Sequence, residues 1–333
     1  MSIRIGINGF GRIGRTLLRV LATSPSEDIE VVAINDPAPA EALAHLLEFD
    51  SVHGRFPNPV ILDKGSIDFG RGPVRLSDLQ DPAKLPWDDV DIALECSGHF
   101  TRIADAERHF SNGSGRVLLS APAKGEGPTV VFGVNHDRIT RSHRLISNGS
   151  CTTNCLAPVA RVLHDAFGIK RGMMTTVHCY TTSQPVHDAP HADLYRGRAA
   201  GLSMIPTSTG AAETMGLVIP ELKGLITGQA IRVPAPNVSC IDLTVDLACD
   251  VTVQEVNDTM RAAADGPMKG IIGITDRQLV SRDFARDPHS AVFATDQTRV
   301  QSGSLLRVLA WYDNEWGFSC RLRDMIRVVA AQG

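Results

Sequence analysis

IRIGIN, residues 3–8, is a short apolar run that stops at GFGRIGR, where Gly9, Gly11 and Gly14 take the spacing G-x-G-x-x-G. TLLRVLA follows with apolar residues at helical spacing, and IEVVAIN at 29–35 is a second apolar run, closed by Asp36. The order strand, glycine turn, helix, strand, acid is the opening unit of a dinucleotide-binding fold. Gly9 would make the tight turn, Gly11 would let the backbone approach a pyrophosphate, and Gly14 would let the helix pack close to the sheet. The helix N-terminus offers amides and partial positive charge to the phosphates. Asp36, 22 positions past Gly14, sits where an acid accepts hydrogen bonds from the adenosine ribose. A carboxylate there repels a 2′-phosphate, so the expected cofactor is NAD.

Further strands are expected at 90–98, 116–123 and 129–135, which makes residues 1–150 a doubly wound parallel sheet. The pattern changes after that. A helix is expected over 151–167, ending at Gly168, a good left-handed terminator. MMTTVHCY at 173–180 is strand-like, and 181–204 is a long, irregular, polar and basic stretch of the kind that is usually functional. GAAETMGLVI reads as helix and SLLRVLAWYD as strand. IRVPAPNVSCIDLTVDLAC alternates apolar and polar residues, as in an antiparallel sheet with one covered face. SCRLRDMIRVVAAQ reads as an amphipathic helix. With 333 residues, two domains are the expectation.

Charge and cysteine content narrow the function. A formal net charge of -4 gives no field for nucleic acid or an anionic membrane, so neither is an expected partner. No apolar run approaches the ~20 residues of a spanning helix. MSIRIGINGF lacks the regions of a secretory leader, which points to a cytoplasmic location. The seven cysteines are odd in number and scattered, which argues for reduced thiols in place of a disulfide framework.

Two of those thiols lie in SNGSCTTNC, residues 147–155. A structural zinc site needs four ligands, and no second pair of suitable spacing exists, so no metal is expected. Cys151 stands where the helical pattern begins, and Ser147, Asn148 or Ser150 could cap that helix. A helix start stabilises a thiolate and supplies N–H groups to an oxyanion. Lowering a thiol pKa from about 8.5 to about 6 is worth about 3.4 kcal/mol. A protonated histidine plus the helix end could supply it, and His178, at a strand end before the long loop, is the candidate partner. Cys155, one turn further in, reads as a packed small hydrophobe.

These residues also carry a resemblance. SNGSCTTNCLAP, INGFGRIGR at 7–15, VAIND at 32–36, IPTSTGAA at 205–212, RVPAPNVS at 232–239 and YDNEWGFS at 312–319 resemble, in order, the motifs of phosphorylating glyceraldehyde-3-phosphate dehydrogenases. The resemblance implies a Rossmann domain at 1–150, rejoined by the C-terminal helix at 314–333. It implies an α+β catalytic domain at 151–313 with a mixed, mostly antiparallel sheet, and a homotetramer with 181–204 at a subunit interface. Cys151 would form a thiohemiacetal and then a thioester, with His178 as base, and inorganic phosphate would release the product. Arg12 and Ile13 would contact the NAD diphosphate, Ser120 the nicotinamide side, and Asn314 the carboxamide. Ser150, Thr152, Thr209 and Gly210 would form the inorganic-phosphate subsite, and Thr181, Arg196 and Arg232 would hold the other substrate anion. An erythrose-4-phosphate dehydrogenase, an arsenate-using paralogue and a non-catalytic NAD-bound role are the alternatives. The chain departs from common family usage at Pro37, Gln80, Gly149, Ser183 and Cys179.

Overall fold

The computed structural model describes residues 2–24 and 26–332. The chain forms two compact units. One comprises residues up to 130, 136–149 and 319 onward; the other comprises 131–135 and 150–318.

The first unit carries β1 (Ile3–Asn8), α1 (Arg12–Thr23), β2 (Ile29–Asn35), α2 (Ala40–Glu48), the short pair β3 (Phe49–Asp50) and β4 (Gly54–Arg55), β5 (Ile61–Asp63), β6 (Ser66–Asp68), β7 (Pro73–Ser77), β8 (Ile92–Glu95), α3 (Ile103–Ala106), β9 (Arg116–Leu119) and β10 (Leu145–Ser147). Its sheet has the order β10-β9-β8-β1-β2-β7-β6-β5. From β10 to β7 every pairing is parallel, and β6 and β5 add an antiparallel edge. Strands β8 and β9 are buried throughout, as strands of a parallel sheet covered on both faces must be.

The apolar run at 129–135 is not the expected strand. Only Thr129 makes a bridge, to Ser147. The amide of Val131 is taken by the side-chain oxygen of Asn135 at 2.8 Å, and Val134 and Asn135 turn back on the Val131 carbonyl. Burial without a ladder explains the misleading composition. The strand that closes the sheet is β10, too short to show a period.

The second unit carries α4 (Cys151–Phe167), β11 (Ile169–Cys179), β12 (Ile205–Ser208), α5 (Ala211–Val218), β13 (Ile226–Val233), β14 (Ser239–Leu247), α6 (Val253–Asp265), β15 (Ile272–Thr275), β16 (Ala291–Ala294), β17 (Arg299–Gln301) and β18 (Leu305–Tyr312). Helix α7 (Trp316–Ala330) begins here and from Ser319 belongs to the first unit. The sheet order is β12-β13-β11-β14-β18-β16-β15, with β17 on β18. Only the β11/β13 and β15/β16 pairs are parallel, so the sheet is mixed and mostly antiparallel. Burial alternates along β14 and β18. Ile241, Leu243, Val245, Leu306 and Val308 share one core with Leu156, Val159 and Leu163 of α4. Among the described residues, no helix is long and apolar enough to cross a membrane.

Candidate active site

In the first unit, the glycine turn has a shape that larger residues could not take. Gly9 has φ 92°, and a Cβ there would lie 2.4 Å from Ser97 Cα. A Cβ on Gly14 would lie 2.3 Å from the Gly9 carbonyl oxygen, so the helix packs on the turn itself. Gly11 faces open space. It caps α1 without any side-chain acceptor, and the first-turn amides of an α-helix have no intrahelical carbonyl to meet. This is an anion seat of the kind a pyrophosphate needs.

The flanking residues hold that seat. Asp36 accepts from the Phe10 amide at 2.8 Å and the Ala38 amide at 3.0 Å, which ties the strand-end acid to the turn. Asp36, Pro39, Leu43, Leu76 and Asp78 line a cleft of about 460 Å³. Two carboxylates in one cleft disfavour a further anion. The Arg12 guanidinium is turned away to Asp50, so a diphosphate contact by this residue would fall to its amide. Ser120 directs both its amide and its hydroxyl to the Glu95 carbonyl, each at 3.0 Å.

Gly149, the last residue of its segment of the first unit and at φ 65°, leads the chain into Ser150 of the second, whose hydroxyl accepts from the Thr153 amide at 3.0 Å and caps α4. A residue with a Cβ would be strained at that φ. The partly buried Cys151 is the first residue of the helix. Its Sγ lies 3.5 Å from Nε2 of His178, the penultimate residue of β11. His178 Nδ1 lies 2.7 Å from the Cys179 carbonyl oxygen; the tautomer that donates there points the Nε2 lone pair at the thiol. The parallel register sets Arg232 of β13 opposite His178. Its Nη1 donates to the same carbonyl at 2.9 Å and lies 2.6 Å from Nδ1.

Taken singly, burial pushes the Cys151 thiol up, against the pull of Arg232 and of the Thr152 hydroxyl and nearby amides. Burial, then the positive charge of Arg232, pushes His178 down to about 3, against the Cys179 carbonyl. Arg232 is thus a fixed cation beside the pair that the sequence did not place there, and its charge and the burial both favour the neutral imidazole. Transfer from Sγ to Nε2 leaves the pair's net charge unchanged, so the two groups titrate as one unit. The thiolate then faces the helix start and Arg232, and the imidazolium faces the carbonyl. Cys155 is fully buried in the core, and its thiol is pushed well above the ordinary value.

Behind the pair lies a network with no counterpart in the sequence reading. Tyr312 Oη meets the hydroxyls of Thr152 and Thr176, each at 2.9 Å, and Thr176 donates to the Cys240 carbonyl at 3.1 Å. The Tyr312 ring stands edge-on to His178 at 6.0 Å. The Thr152 hydroxyl, expected at the phosphate subsite, is buried and meets Tyr312 in this network. Ser150 is likewise engaged as the cap, with its hydroxyl also 2.8 Å from that of Thr153.

The remaining anion candidates sit on or after three adjacent strands, β12, β13 and β11. Thr209 and Gly210 follow β12, and the Thr209 hydroxyl accepts from the Ala211 amide at 3.2 Å. Arg196 donates to Thr207 of β12 at 2.8 Å. Thr181 lies two residues beyond β11, with its hydroxyl 3.1 Å from that of Ser183.

Asn314 is held just after β18. Its Oδ1 accepts from the Val238 amide at 3.1 Å. Asp313, buried, accepts from the amides of Glu315, Trp316 and Arg286 and from Asn237 Nδ2. Sequence reasoning passed over Tyr312 and Asp313 although both lie in YDNEWGFS. The motif was visible, but partners such as Thr152 stand far away along the chain.

A nucleotide-binding unit and a thiol–imidazole pair at a helix start together define a thiol-dependent dinucleotide dehydrogenase as a class. A family model described as glyceraldehyde 3-phosphate dehydrogenase, NAD binding domain, matches residues 3–103, and its C-terminal domain counterpart matches 150–314. Curated proteins called glyceraldehyde-3-phosphate dehydrogenase are similar over nearly their whole length. That of Cereibacter sphaeroides is 58% identical, with 97% of each chain covered. That of Xanthobacter flavus is 56% identical, also with 97% of each covered, and that of Pseudomonas aeruginosa 52% identical with 99% of each covered. The chain belongs to the glyceraldehyde-3-phosphate dehydrogenase family.

Proposed function

We propose that this protein oxidises glyceraldehyde 3-phosphate with NAD and inorganic phosphate to 1,3-bisphosphoglycerate. The observation that carries the proposal is the Cys151 Sγ to His178 Nε2 approach of 3.5 Å, with the imidazole fixed from behind by the Cys179 carbonyl. NAD fits the residues present: an uncapped helix start behind a glycine turn, and an acid at the ribose position. When bound, it supplies the hydride acceptor. Arg12 and Ile13 would hold its diphosphate through their amides, Asp36 its ribose, and Ser120 and Asn314 its nicotinamide end.

The steps follow from the geometry. His178 Nε2 takes the thiol proton as Cys151 adds to the aldehyde carbon, then gives it to the thiohemiacetal oxygen. It removes that proton again as the C–H electron pair leaves as hydride, giving a thioester on Cys151. Inorganic phosphate displaces sulfur, and Nε2 returns the proton to the thiolate. A thioester retains the energy of the oxidation for the attack by phosphate. Arg232, Arg196 and Thr181 suit the substrate phosphate by charge and hydroxyl donation. Thr209, Gly210 and Ser150 suit the attacking phosphate.

A homotetramer fits the exposure of Val186, Leu194, Tyr195, Leu202 and Met204 on and beside the long loop, an apolar surface of the kind that associates. Seven free cysteines fit a cytoplasmic setting. The experiment is NADH formation from glyceraldehyde 3-phosphate and from erythrose 4-phosphate, each with phosphate, with arsenate and with neither. Turnover that needs phosphate and prefers the triose supports the proposal. Equal turnover without an oxyanion, or preference for the tetrose, would sink it.

A further inference from the structure

Cys179 has so far entered only through its carbonyl, which meets His178 Nδ1 and accepts from Arg232. Its side chain is also engaged. The residue is 1% exposed, and Sγ lies 3.2 Å from Asn314 Oδ1 and 3.7 Å from His178 Nδ1. Burial drives its thiol up to about 12, so sulfur keeps its proton at neutral pH and acts as a donor. Asn314 Oδ1 thus receives two donors, the Cys179 S–H and the Val238 N–H. Val238 has φ 66°, a left-handed backbone that a β-branched residue adopts only under strain. That conformation sets the N–H that Asn314 Oδ1 accepts. With Oδ1 fixed inward, Nδ2 is the free end of the amide and has no acceptor among the described residues.

We propose that Cys179 is a positioning residue whose S–H, with the Val238 amide, locks Asn314 in one of its two amide orientations and presents Nδ2 as a donor to the cofactor. The site then reads a carbonyl oxygen on the nicotinamide ring and takes no account of the amine beside it. One residue registers both halves of the reaction: its carbonyl holds the base, and its thiol holds the amide. The inference rests on the reading that Asn314 faces the nicotinamide carboxamide.

The test uses the assembled enzyme with Cys179→Ala, Cys179→Ser and Asn314→Ala. It measures KM for NAD and for the 3-acetylpyridine analogue, which keeps the carbonyl and lacks the amine, and also the thermal midpoint. Cys179→Ala is expected to raise KM for NAD by about three- to tenfold, the factor carried by one lost hydrogen bond. It should also increase the preference for NAD over the analogue, because a freed amide can turn its oxygen to the amine. Cys179→Ser, which restores a donor, should recover part of both effects. A cavity alone would lower the thermal midpoint and weaken both dinucleotides equally. Unchanged KM, or a lowered midpoint with an unchanged ratio, overturns the proposal. Asn314→Ala with both KM values unchanged would overturn the cofactor reading itself, and Cys179 with it.

Discussion

Cys151 draws its reactivity from groups that its own neighbours in sequence do not supply. The helix start lowers the cost of a thiolate, but the proton must go to His178, and the charge that favours its departure is on Arg232. His178→Asn removes the acceptor. At pH 7 the thiol proton then has no base to receive it, and iodoacetamide should alkylate Cys151 several-fold more slowly than in the wild type. Raising the pH to 9 should recover most of the rate. Cys151→Ser should lower turnover by about three orders of magnitude or more, while calorimetry still detects NAD binding. Much of this site was legible from residue types at fixed spacing: glycines before a helix, an acid after a strand, a thiol at a helical boundary. The contact of the Thr152 hydroxyl with Tyr312 was not, because Tyr312 becomes a neighbour only through the sheet. Nor was the fixed cation beside the pair, which depends on how Arg232 pairs in register with His178.

At the scale of elements, helix α1 and strand β3 are tied by Arg12 and Asp50. Burial raises the Asp50 carboxyl, but Arg12 and the amides of His53 and Val52 outweigh it and hold it at about 2. A carboxylate held below its unfolded value of 3.8 contributes stability above that pH and loses it as pH falls toward 2. Between pH 5 and pH 3 the wild type should lose about 1 kcal/mol more than Asp50→Asn, measured by urea unfolding at each pH. Helix α6 opens on a capping box in which Thr252 and Glu255 exchange hydrogen bonds. Thr252→Ala should cost about 1 kcal/mol in the same assay. Elements with a clear period were legible: the alternation of β14 and β18, and the helical spacing of α4. The stretch at 129–135 misled because a buried apolar run has no period to separate strand from turn. Strand β10 is too short to declare itself.

Across the whole molecule, the parallel sheet of the first unit and the mixed sheet of the second follow from patterns that alternate strand with helix in one half and strand with strand in the other. Assembly is less legible, because an irregular segment states no partner. Its exposed leucines do suggest a test. Leu202, 85% exposed, contributes nothing to the core of its own chain, so Leu202→Asp should leave the monomer's thermal midpoint nearly unchanged. Light scattering should then show a species smaller than the four chain masses expected for the wild type. A variant still at four masses would remove this surface from the interface.

The glycine turn has a consequence for how quickly nucleotide is captured. Gly9 is wedged against Ser97, and Gly14 against the Gly9 carbonyl. A turn held by packing of this kind has little freedom left to lose on association, so little ordering entropy is expected to be charged to binding at that end of the ligand. The diphosphate end should engage in a single fast phase, linear in nucleotide concentration, and any slower step in the binding trace belongs to another part of the ligand.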